Sequence, residues 1–328
     1  MTTIDWPAFT ELIAQHQRYL LTSHIRPDCD ALGSELGMAG VLEALGKEVR
    51  IVNGQATPPN LVFIDPQQKI ETIGQDVTPE ELVDIEVLMI LDTSAWAQLG
   101  PMGDVIRSTN ARKVLVDHHV GEDDLGATPF KNTTAEATGR LVVEAAEHLG
   151  VALTKEIATP LFAAIATDTG WYRFGSTTSG TYRTAAKLVD AGAVPSDIFG
   201  ALYERDSLAR VKLRGRITER FVTELDGRLA HTSVRLADFE QTGALPSDTE
   251  DVINIGLSVL GTEVAVILVE LSSGGFKISF RSRCELNCNE VAKQFGGGGH
   301  KAAAGAFIDE PFDVAQQRVL DAVRAAMG

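Results

Sequence analysis

The sequence predicts an α/β fold with an N-terminal, doubly wound and mainly parallel sheet, joined by a helical linker to a smaller α/β domain. Apolar runs at Val87–Leu91 and Val114–Val116 are typical of strands that are buried on both faces, as in parallel sheets. A helical pattern at Ala31–Leu45 separates two further strand patterns. After residue 222, alternating strand patterns replace the helices, which indicates a second domain.

The first fifty residues predict a helix, a strand, a helix and a strand in that order. Residues with helical spacing around Trp6–Ile13 precede a short strand at Tyr19–Ser23. The apolar residues of Ala31–Leu45 recur at steps of three and four, and Gly46 marks the end of that helix. A second strand follows at Glu48–Val52. We expect a parallel strand–helix–strand unit, because a crossover helix joins parallel strands.

The remaining patterns set the domain boundaries at 1–190 for the first domain, 191–222 for the helical linker and 223–328 for the second domain. Helices are predicted at Gly103–Asn110, Ala135–Leu149, Thr154–Thr167, Thr178–Asp190, Ser196–Tyr203 and Asp206–Arg220. Later strands are predicted at Arg228–Val234, Glu263–Leu271, Phe276–Arg281 and Ala304–Ile308. Two short helical patterns, at Asn289–Phe295 and Val314–Ala326, complete the second domain.

The net charge of the 328-residue chain is −16, from 45 acidic and 29 basic residues. This balance disfavours stable binding of long duplex nucleic acid, which needs a broad basic face, but it allows a short anionic ligand. The cysteines Cys29, Cys284 and Cys288 form no even disulfide framework and suggest a reducing compartment. We expect a cytoplasmic protein, because the sequence shows no signal-peptide pattern and no apolar run near the ~18 residues of a membrane span.

Acidic and imidazole side chains cluster where the predicted elements of the first domain end. The residues are His24, Asp28, Asp30, Asp92, Asp117, His118, His119 and Asp168. In an open α/β sheet the carboxyl ends of the strands line one crevice, so we expect these side chains to meet. Their five carboxylates would repel one another without cations. Mixed carboxylate and imidazole ligands suit Mn²⁺, with Mg²⁺, Co²⁺ or Zn²⁺ as alternatives.

The number of candidate ligands exceeds what one ion needs. Two ions roughly 3.5–4 Å apart, bridged by a carboxylate and a water, would use them all, activate the water and clamp a phosphoryl group. This arrangement predicts phosphoester hydrolysis. A single aspartate after a strand is more often a helix cap or turn residue. However, four of the seven histidines (24, 118, 119 and 300) fall in these motifs and in the glycine-rich segment near the C-terminus, which favours a site.

That segment, Gly296–Gly299, precedes His300-Lys301. A backbone without Cβ atoms can approach an anion closely and direct N–H groups at it. The segment is neither a Walker loop nor a dinucleotide fingerprint, since Gly-Lys-[Ser/Thr] and Gly-x-Gly-x-x-Gly are absent. Together with the fork of Arg281, which suits phosphate oxygens, it predicts a clamp for a phosphate and a nucleotide. Arg26 and Arg173 are weaker candidates for the same role.

The motifs as a set resemble the DHH phosphoesterase superfamily, in His24-x-x-x-Asp28-x-Asp30, Asp92, Asp117-His118-His119 and Asp168. The second half resembles the DHHA1 domain of that superfamily, in Arg281-Ser282 and Asn289–Lys301. Within the superfamily, the chain is most similar to the short bacterial nanoRNase/pAp-phosphatase type, whose members degrade very short RNA and dephosphorylate 3′-phosphoadenosine 5′-phosphate (pAp). Thr167–Phe174 also resembles that type. Cys29 departs from it, because members of that type usually have a small residue at this position.

The resemblance implies a role for each candidate residue. One metal ion would be held by His24, Asp28 and Asp92, and the other by Asp30, Asp92, His118 and Asp168, with Asp92 as the bridge. His119 would contact the scissile phosphate and protonate the leaving oxygen, and Asp117 would orient the histidines. The substrate would be bound by Arg281, Ser282, Gly297, Gly298, Gly299, His300 and Arg173.

The leading hypothesis is therefore a phosphoesterase that uses two divalent metal ions, with Mn²⁺ as the preferred ion. Its substrates would be short single-stranded RNA or DNA, cut to nucleoside monophosphates, and pAp, converted to AMP. The first domain would cut and the second would hold the end of the substrate, without any membrane contact. The alternatives are a phosphodiesterase of cyclic di-AMP or pApA and a non-catalytic nucleotide-sensing module. An inorganic pyrophosphatase is disfavoured because the pyrophosphatases of this superfamily have a lysine- and arginine-rich substrate clamp in the second domain. This chain has the glycine-rich segment there instead. The family also suggests a homodimer.

Overall fold

The computed structural model describes residues 4–121 and 123–328. The chain divides into two compact units, Met1–Arg205 and Asp206–Gly328. Each unit contains one six-stranded sheet.

The first unit has an all-parallel sheet. Its strands are β1 (Arg18–Thr22), β2 (Glu48–Asn53), β3 (Ile70–Thr72), β4 (Val87–Leu91), β5 (Arg112–Asp117) and β6 (Thr128–Lys131). They are arranged in the order β3-β2-β1-β4-β5-β6, and every neighbouring pair is parallel. The prediction of a doubly wound, mainly parallel sheet is thus confirmed. The strand order reverses between β1 and β4, where the crevice of such a sheet opens.

Helices cover both faces of this sheet. They are α1 (Trp6–Gln15), α2 (Cys29–Ala44), α3 (Met102–Ser108), α4 (Thr138–Leu149), α5 (Lys155–Asp168), α6 (Ser179–Asp190) and α7 (Pro195–Tyr203). Successive strand residues point to opposite faces, so Leu21 and Met89 join the larger core with α2 and α5. Leu20 and Leu88 join the smaller core with α3.

Helix α2 packs closely on α5, which brings the start of α2 near the end of α5. A Cβ atom at Gly33 would lie 2.4 Å from the carbonyl oxygen of Pro160 and 2.9 Å from Cβ of Ala164. Any larger residue at this position would force the two helices apart. The first turn of α2 and the end of α5 are thereby held near each other, so that Asp30 and Asp168 can share a site.

The second unit has a mixed sheet with helices on both faces. Its elements are α8 (Leu208–Glu219), β7 (Val222–Glu224), β8 (Leu229–Val234), α9 (Leu236–Thr242), α10 (Ile253–Ser258), β9 (Val264–Glu270), β10 (Phe276–Ser282), α11 (Cys288–Lys293), β11 (Gly298–Gly299), β12 (Ala303–Ile308) and α12 (Phe312–Met327). The strand order is β11-β12-β10-β9-β8-β7, and β8 with β9 is the parallel pair. The smaller α/β domain that the sequence predicts is confirmed.

The segment predicted as a linker, 191–222, is divided between the two units. Ile198 of α7 is 2% exposed and belongs to the core of the first unit. Leu213 and Ile217 of α8 are fully buried in the core of the second unit. Each helix uses its apolar residues for its own unit, and the division between the units, Arg205 to Asp206, lies within the segment predicted as the linker. Within the described residues, no helix is long and apolar enough to cross a membrane.

Candidate active site

The six side chains predicted as metal ligands converge at the carboxyl edge of the first sheet. They are His24 and Asp28 after β1, Asp30 in the first turn of α2, Asp92 after β4, His118 after β5, and Asp168 at the end of α5. Three groups have ligand atoms within 4.8 Å of one another, namely His24–Asp28–Asp92, Asp30–His118–Asp168 and Asp92–His118–His119. Asp92 and His118 each belong to two of these groups, so the three groups form one continuous site.

Asp92 lies between the two halves of this site. Its Oδ2 is 3.5 Å from Nε2 of His24, and its Oδ1 is 3.6 Å from Nε2 of His118. The two oxygens of one carboxylate therefore face different imidazoles, as a bridging ligand requires. The backbone of Asp92 has φ +62°, in the left-handed region that non-glycine residues rarely adopt. Strain of this kind is found where a side chain must be presented at a functional site.

The ligand distances suit shared divalent cations. Nε2 of His118 lies 3.7 Å from Oδ2 of Asp30 and 3.6 Å from Oδ2 of Asp168. Nε2 of His24 lies 3.9 Å from Oδ1 of Asp28. Neighbouring ligands of an octahedral ion with bonds of about 2.1 Å lie about 3 Å apart. Small side-chain rotations would therefore bring the atoms within each group to the spacing that an ion requires.

Backbone carbonyls orient the imidazoles of His24 and His118. Nδ1 of His118 lies 3.2 Å from the carbonyl oxygen of Ala135, and Nδ1 of His24 lies 3.1 Å from that of Ile25. A carbonyl oxygen accepts only, so each Nδ1 is the protonated donor. The lone pair of each Nε2 is then directed at the carboxylates, which is the tautomer that binds a metal through Nε2.

The charge state of the carboxyls also fits a cation site. Burial raises the pKa of Asp30, and burial together with the charges of Asp30 and Asp28 raises the pKa of Asp92 well above its usual value. Burial and the charge of Asp30 raise the pKa of Asp168 to about 6. Ionised carboxylates at this density are unfavourable unless cations compensate them. The chemistry and the electrostatics of this donor set therefore fit bound divalent metal.

The start of α4 contacts two of the predicted ligands, and this contact was not predicted. The backbone N–H groups of Thr138 and Gly139 donate to Oδ2 and Oδ1 of Asp30, at 2.7 and 2.9 Å. The fully buried hydroxyl of Thr138 donates to Oδ1 of Asp92 at 2.9 Å. Thr138 thus ties Asp30 to Asp92, the carboxylate that lies between the two halves of the site. In the sequence, a threonine at the start of a helix is indistinguishable from an ordinary terminal residue, so no signal could have identified it.

His119 and Asp117 form a pair beside the ligands. Nδ1 of His119 lies 2.9 Å from Oδ1 of Asp117, which also accepts the backbone N–H of His119 at 3.0 Å. Asp117 is fully buried, whereas the His119 side chain is half exposed. Burial acts to raise the pKa of Asp117, but the hydrogen bonds from His119 outweigh it and the pKa falls; the same hydrogen bond raises the pKa of His119. Nδ1 is thus occupied, and Nε2 is the ring atom left for a substrate.

Arg281 of the second unit has a small residue opposite it on each neighbouring strand, Ala265 on β9 and Ala303 on β12. It pairs with Ala303 across β10 and β12, and Ser279 pairs with Gly305, which in turn pairs with Gly298 of β11. Residues directly opposite in an antiparallel pair share a face. The guanidinium of Arg281 therefore stands next to small residues, with one donor spent on the carbonyl of Phe280 at 3.1 Å.

The glycine-rich segment is partly a strand. A Cβ atom at Gly297 would lie 2.2 Å from the carbonyl oxygen of Gly305, and one at Gly299 would lie 2.6 Å from that of Ala303. At Gly298 the nearest atom would be 3.6 Å away. Two of the three glycines predicted to bind substrate are therefore required by the sheet itself, and Gly298 is the position where the backbone is open to a ligand. The exposed His300 follows, with its N–H donating to Ala303 at 2.7 Å.

Two other predicted substrate contacts lie in turns. Ser282 is 8% exposed, and its hydroxyl accepts the N–H of Cys284 at 3.2 Å and donates to the carbonyl of the same residue at 3.3 Å. Its hydroxyl is thus engaged in the turn after β10. Arg173, in the first unit, is exposed on the turn after α5, where its Nε donates to the carbonyl of Gly170 at 2.6 Å.

Comparisons with known proteins cover both units. Residues 18–165 match the DHH family, N-terminal domain, and residues 227–328 match the DHHA1 domain. The bifunctional oligoribonuclease and PAP phosphatase NrnA of Thermus thermophilus is 32% identical over 305 residues, which span 93% of this chain and 88% of that protein. The protein of the same name from Bacillus subtilis is 28% identical, over 91% of this chain and 93% of that protein. The crystal structure of an exopolyphosphatase-related protein from Bacteroides fragilis superposes with a TM-score of 0.84 at 25% identity, covering 98% of this chain and 94% of that one.

Proposed function

Since the chain belongs to the DHH family and carries a DHHA1 domain, we propose that it is a metal-dependent phosphoesterase. It hydrolyses short RNA or DNA oligonucleotides to nucleoside monophosphates and converts pAp to AMP. The observation that carries this proposal is Asp92, whose two carboxylate oxygens face His24 and His118 in two ligand groups. The names of the two relatives, each an oligoribonuclease and PAP phosphatase, support the choice of substrates.

The proposed cofactors are two divalent ions, with Mn²⁺ preferred and Mg²⁺, Co²⁺ and Zn²⁺ as alternatives. Their ligands are His24, Asp28 and Asp92 for one ion and Asp30, Asp92, His118 and Asp168 for the other. When bound, such ions polarise phosphoryl oxygens and make an activated water available near neutral pH. The chain holds its ligands in register through the N–H groups and hydroxyl at the start of α4 and through the carbonyls behind both imidazoles.

His119 is proposed to act on the leaving group. Its Nδ1 is tied to Asp117, so Nε2 faces the substrate. The hydrogen bond to Asp117 raises the pKa of His119, which favours the protonated imidazole. Nε2–H can then donate to the scissile phosphate and pass its proton to the leaving oxygen, as a general acid does.

Arg281, Gly298 and His300 are proposed to hold the phosphate and nucleotide of the substrate. Arg281 offers a planar fork for phosphate oxygens, and the open backbone at Gly298 allows close approach. Gly297, Gly299 and Ser282 contribute by shaping this face, and Arg173 supplies a further cation in the first unit. The net charge of −16 keeps the proposal to short ligands, because long duplexes need many cationic contacts.

A substrate panel tests the proposal. The purified chain is assayed with Mn²⁺ on pAp, pApA, cyclic di-AMP, a five-nucleotide RNA and a long single-stranded RNA. We expect rapid hydrolysis of pAp and the short RNA, slow hydrolysis of the long RNA, and loss of all activity after chelation of the metal. Turnover that survives metal removal would refute the proposal. Preference for cyclic di-AMP or pApA would indicate the alternative phosphodiesterase, and binding without product would indicate a nucleotide sensor.

A further inference from the structure

Lys131, the last residue of β6, lies behind the His119–Asp117 pair. Its ammonium Nζ is 3.2 Å from Oδ2 of Asp117 and donates to Oγ of Ser94 at 2.7 Å and to the carbonyl oxygen of Gly121. The Lys131 side chain is only 16% exposed. Neither the sequence motifs nor the family resemblance assigns it a role.

The three partners of Lys131 belong to the segments that carry the site. Ser94 is two residues after Asp92, Gly121 is two residues after His119, and Asp117 ends β5. The hydroxyl of Ser94 also donates to Gly121 at 2.5 Å. One largely buried cation therefore contacts both the turn after β4 and the loop after β5.

The charge of Lys131 matters because Asp117 is fully buried. A buried carboxylate without a partner is strongly unfavourable. Its two oxygens have separate partners, since Oδ1 receives the ring and backbone of His119 and Oδ2 faces Lys131. Lys131 thus places a positive charge beside Oδ2, on the side of the carboxylate away from the hydrogen bonds of His119.

We propose that Lys131 is a positioning residue that fixes the imidazole of His119 through Asp117. Its effect on the reaction rests on the proposed function, but the orientation of the His119 ring can be measured without turnover. Lys131 points at Asp117 and the two loops, so its loss should change the chemical step and leave substrate affinity nearly unchanged.

Kinetics on pAp give the first test. Lys131→Met keeps the length of the side chain but removes its charge, Lys131→Arg keeps the charge, and Lys187→Met removes an exposed lysine paired with Glu147 as a matched control. We expect Lys131→Met to lower kcat about 10–100-fold, as is typical when a supporting partner is lost. KM should stay within about 3-fold, because the lost interaction acts on the chemical step. Lys131→Arg should restore most of kcat, and Lys187→Met should behave as wild type.

Nitrogen NMR gives the second test. The chain is labelled with ¹⁵N-histidine, loaded with diamagnetic Mg²⁺ and measured at a pH where the His119 ring is neutral; the signal is assigned by its loss in His119→Gln. The wild-type ring should show one tautomer, with the proton on Nδ1. We expect an averaged tautomer signal in Lys131→Met and the wild-type signal in Lys131→Arg. Ser94→Ala, which removes one anchor of Lys131 and leaves the charge of Lys131 in place, should shift the signal in the same direction by less.

The outcomes separate the positioning role from the function. An unchanged His119 signal in a folded Lys131→Met chain overturns the positioning role, whether or not the protein is active. If Lys131→Met does not fold, an unchanged signal in Ser94→Ala overturns it instead. A shifted signal in a chain that hydrolyses none of the panel supports the positioning role and refutes the proposed function. A loss that appears in KM rather than kcat also contradicts the inference.

Discussion

The metal site of the first unit and the glycine strand of the second differ in what their residues do for the fold. At the metal site, the carboxylates and imidazoles are specialised, and buried neighbours such as Thr138 hold them in place. In the glycine strand, Gly297 and Gly299 are required because β11 approaches β12 too closely for a Cβ atom, whereas Gly298 is open. A cluster of ligand-type side chains therefore identifies a site residue by residue. A run of glycines does not identify the binding residues, because glycine is required both where strands pack closely and where the backbone approaches a ligand.

The largest effect is expected from Asp92→Asn, which tests the side-chain half of this comparison. The change keeps the volume of the side chain but removes the charge that faces both His24 and His118. We expect kcat on pAp to fall by at least about 10²–10³-fold, the range seen when one electrostatic contact to a reacting centre is lost. Mn²⁺ affinity, measured by electron paramagnetic resonance, should fall as well.

The matched control is Asp104→Asn, because Asp104 is an exposed aspartate of α3, 92% accessible and paired with Arg107. It should leave both the rate and Mn²⁺ binding unchanged. If Asp92→Asn bound Mn²⁺ and turned over like wild type, the bridging role of Asp92 would be wrong.

A second, intermediate effect is expected from two glycine variants, which test whether Gly297 serves the fold and Gly298 serves substrate binding. In Gly297→Ala the new methyl group would meet the backbone of Gly305, and forced packing of this kind costs about 1–3 kcal/mol. Thermal unfolding should therefore occur at lower temperature. In Gly298→Ala the fold should be unaffected, since the nearest atom is 3.6 Å away and neither glycine has a positive φ.

Gly298→Ala should instead raise the KM for pAp severalfold, with kcat nearly constant, because the methyl group occupies the space proposed for the ligand. The two neighbouring variants control for each other: one should lose stability and the other affinity. A Gly298→Ala chain with an unchanged KM would remove Gly298 from the proposed clamp.

The elements that position the metal site could be predicted because their residues have a single interpretation. Val87–Leu91 is apolar at every position and fully buried as β4, so length and composition together indicate a central strand. By contrast, β6 contains Pro129 and two exposed residues, and proline in a strand is tolerated at sheet edges. The sequence gives no apolar run there, and β6, with Lys131 at its end, was not predicted.

The site residues that were predicted differ in residue type and position from those that were not. His24, Asp92 and His118 are of ligand type and follow strands, so their convergence could be expected from the sheet alone. Thr138 and Lys131 contact the site only through the packing of α4 and β6. Their residue types are common at helix starts and strand ends, so only the tertiary structure identifies them.

Glu35 is a buried acid of the first unit that lies outside the predicted ligand set. It lies on α2, fully buried, and its Oε2 accepts from Nδ2 of Asn53 at 2.9 Å. Burial raises its pKa from 4.5 to about 8, although hydrogen bonds from Asn53 and Ser23 act in the opposite direction. The acids of the metal site are proposed to be compensated by cations, whereas Glu35 is compensated by a proton.

This predicts the smallest and most specific effect, a change in the pH dependence of stability. Between pH 4.5 and about 8 the folded chain retains on Glu35 a proton that the unfolded chain has released. The contribution of Glu35 to the free energy of unfolding therefore falls as the pH rises through this window, and the loss is complete above it. Glu35→Gln keeps an oxygen that accepts from Asn53 and does not ionise. We expect its stability relative to wild type to improve by on the order of 3 kcal/mol between pH 5 and pH 8.5, measured by urea unfolding of the metal-free chain, with the exposed Glu11→Gln as control. A difference between variant and wild type that stays constant with pH would show that the Glu35 carboxyl is ionised in the folded protein across this range.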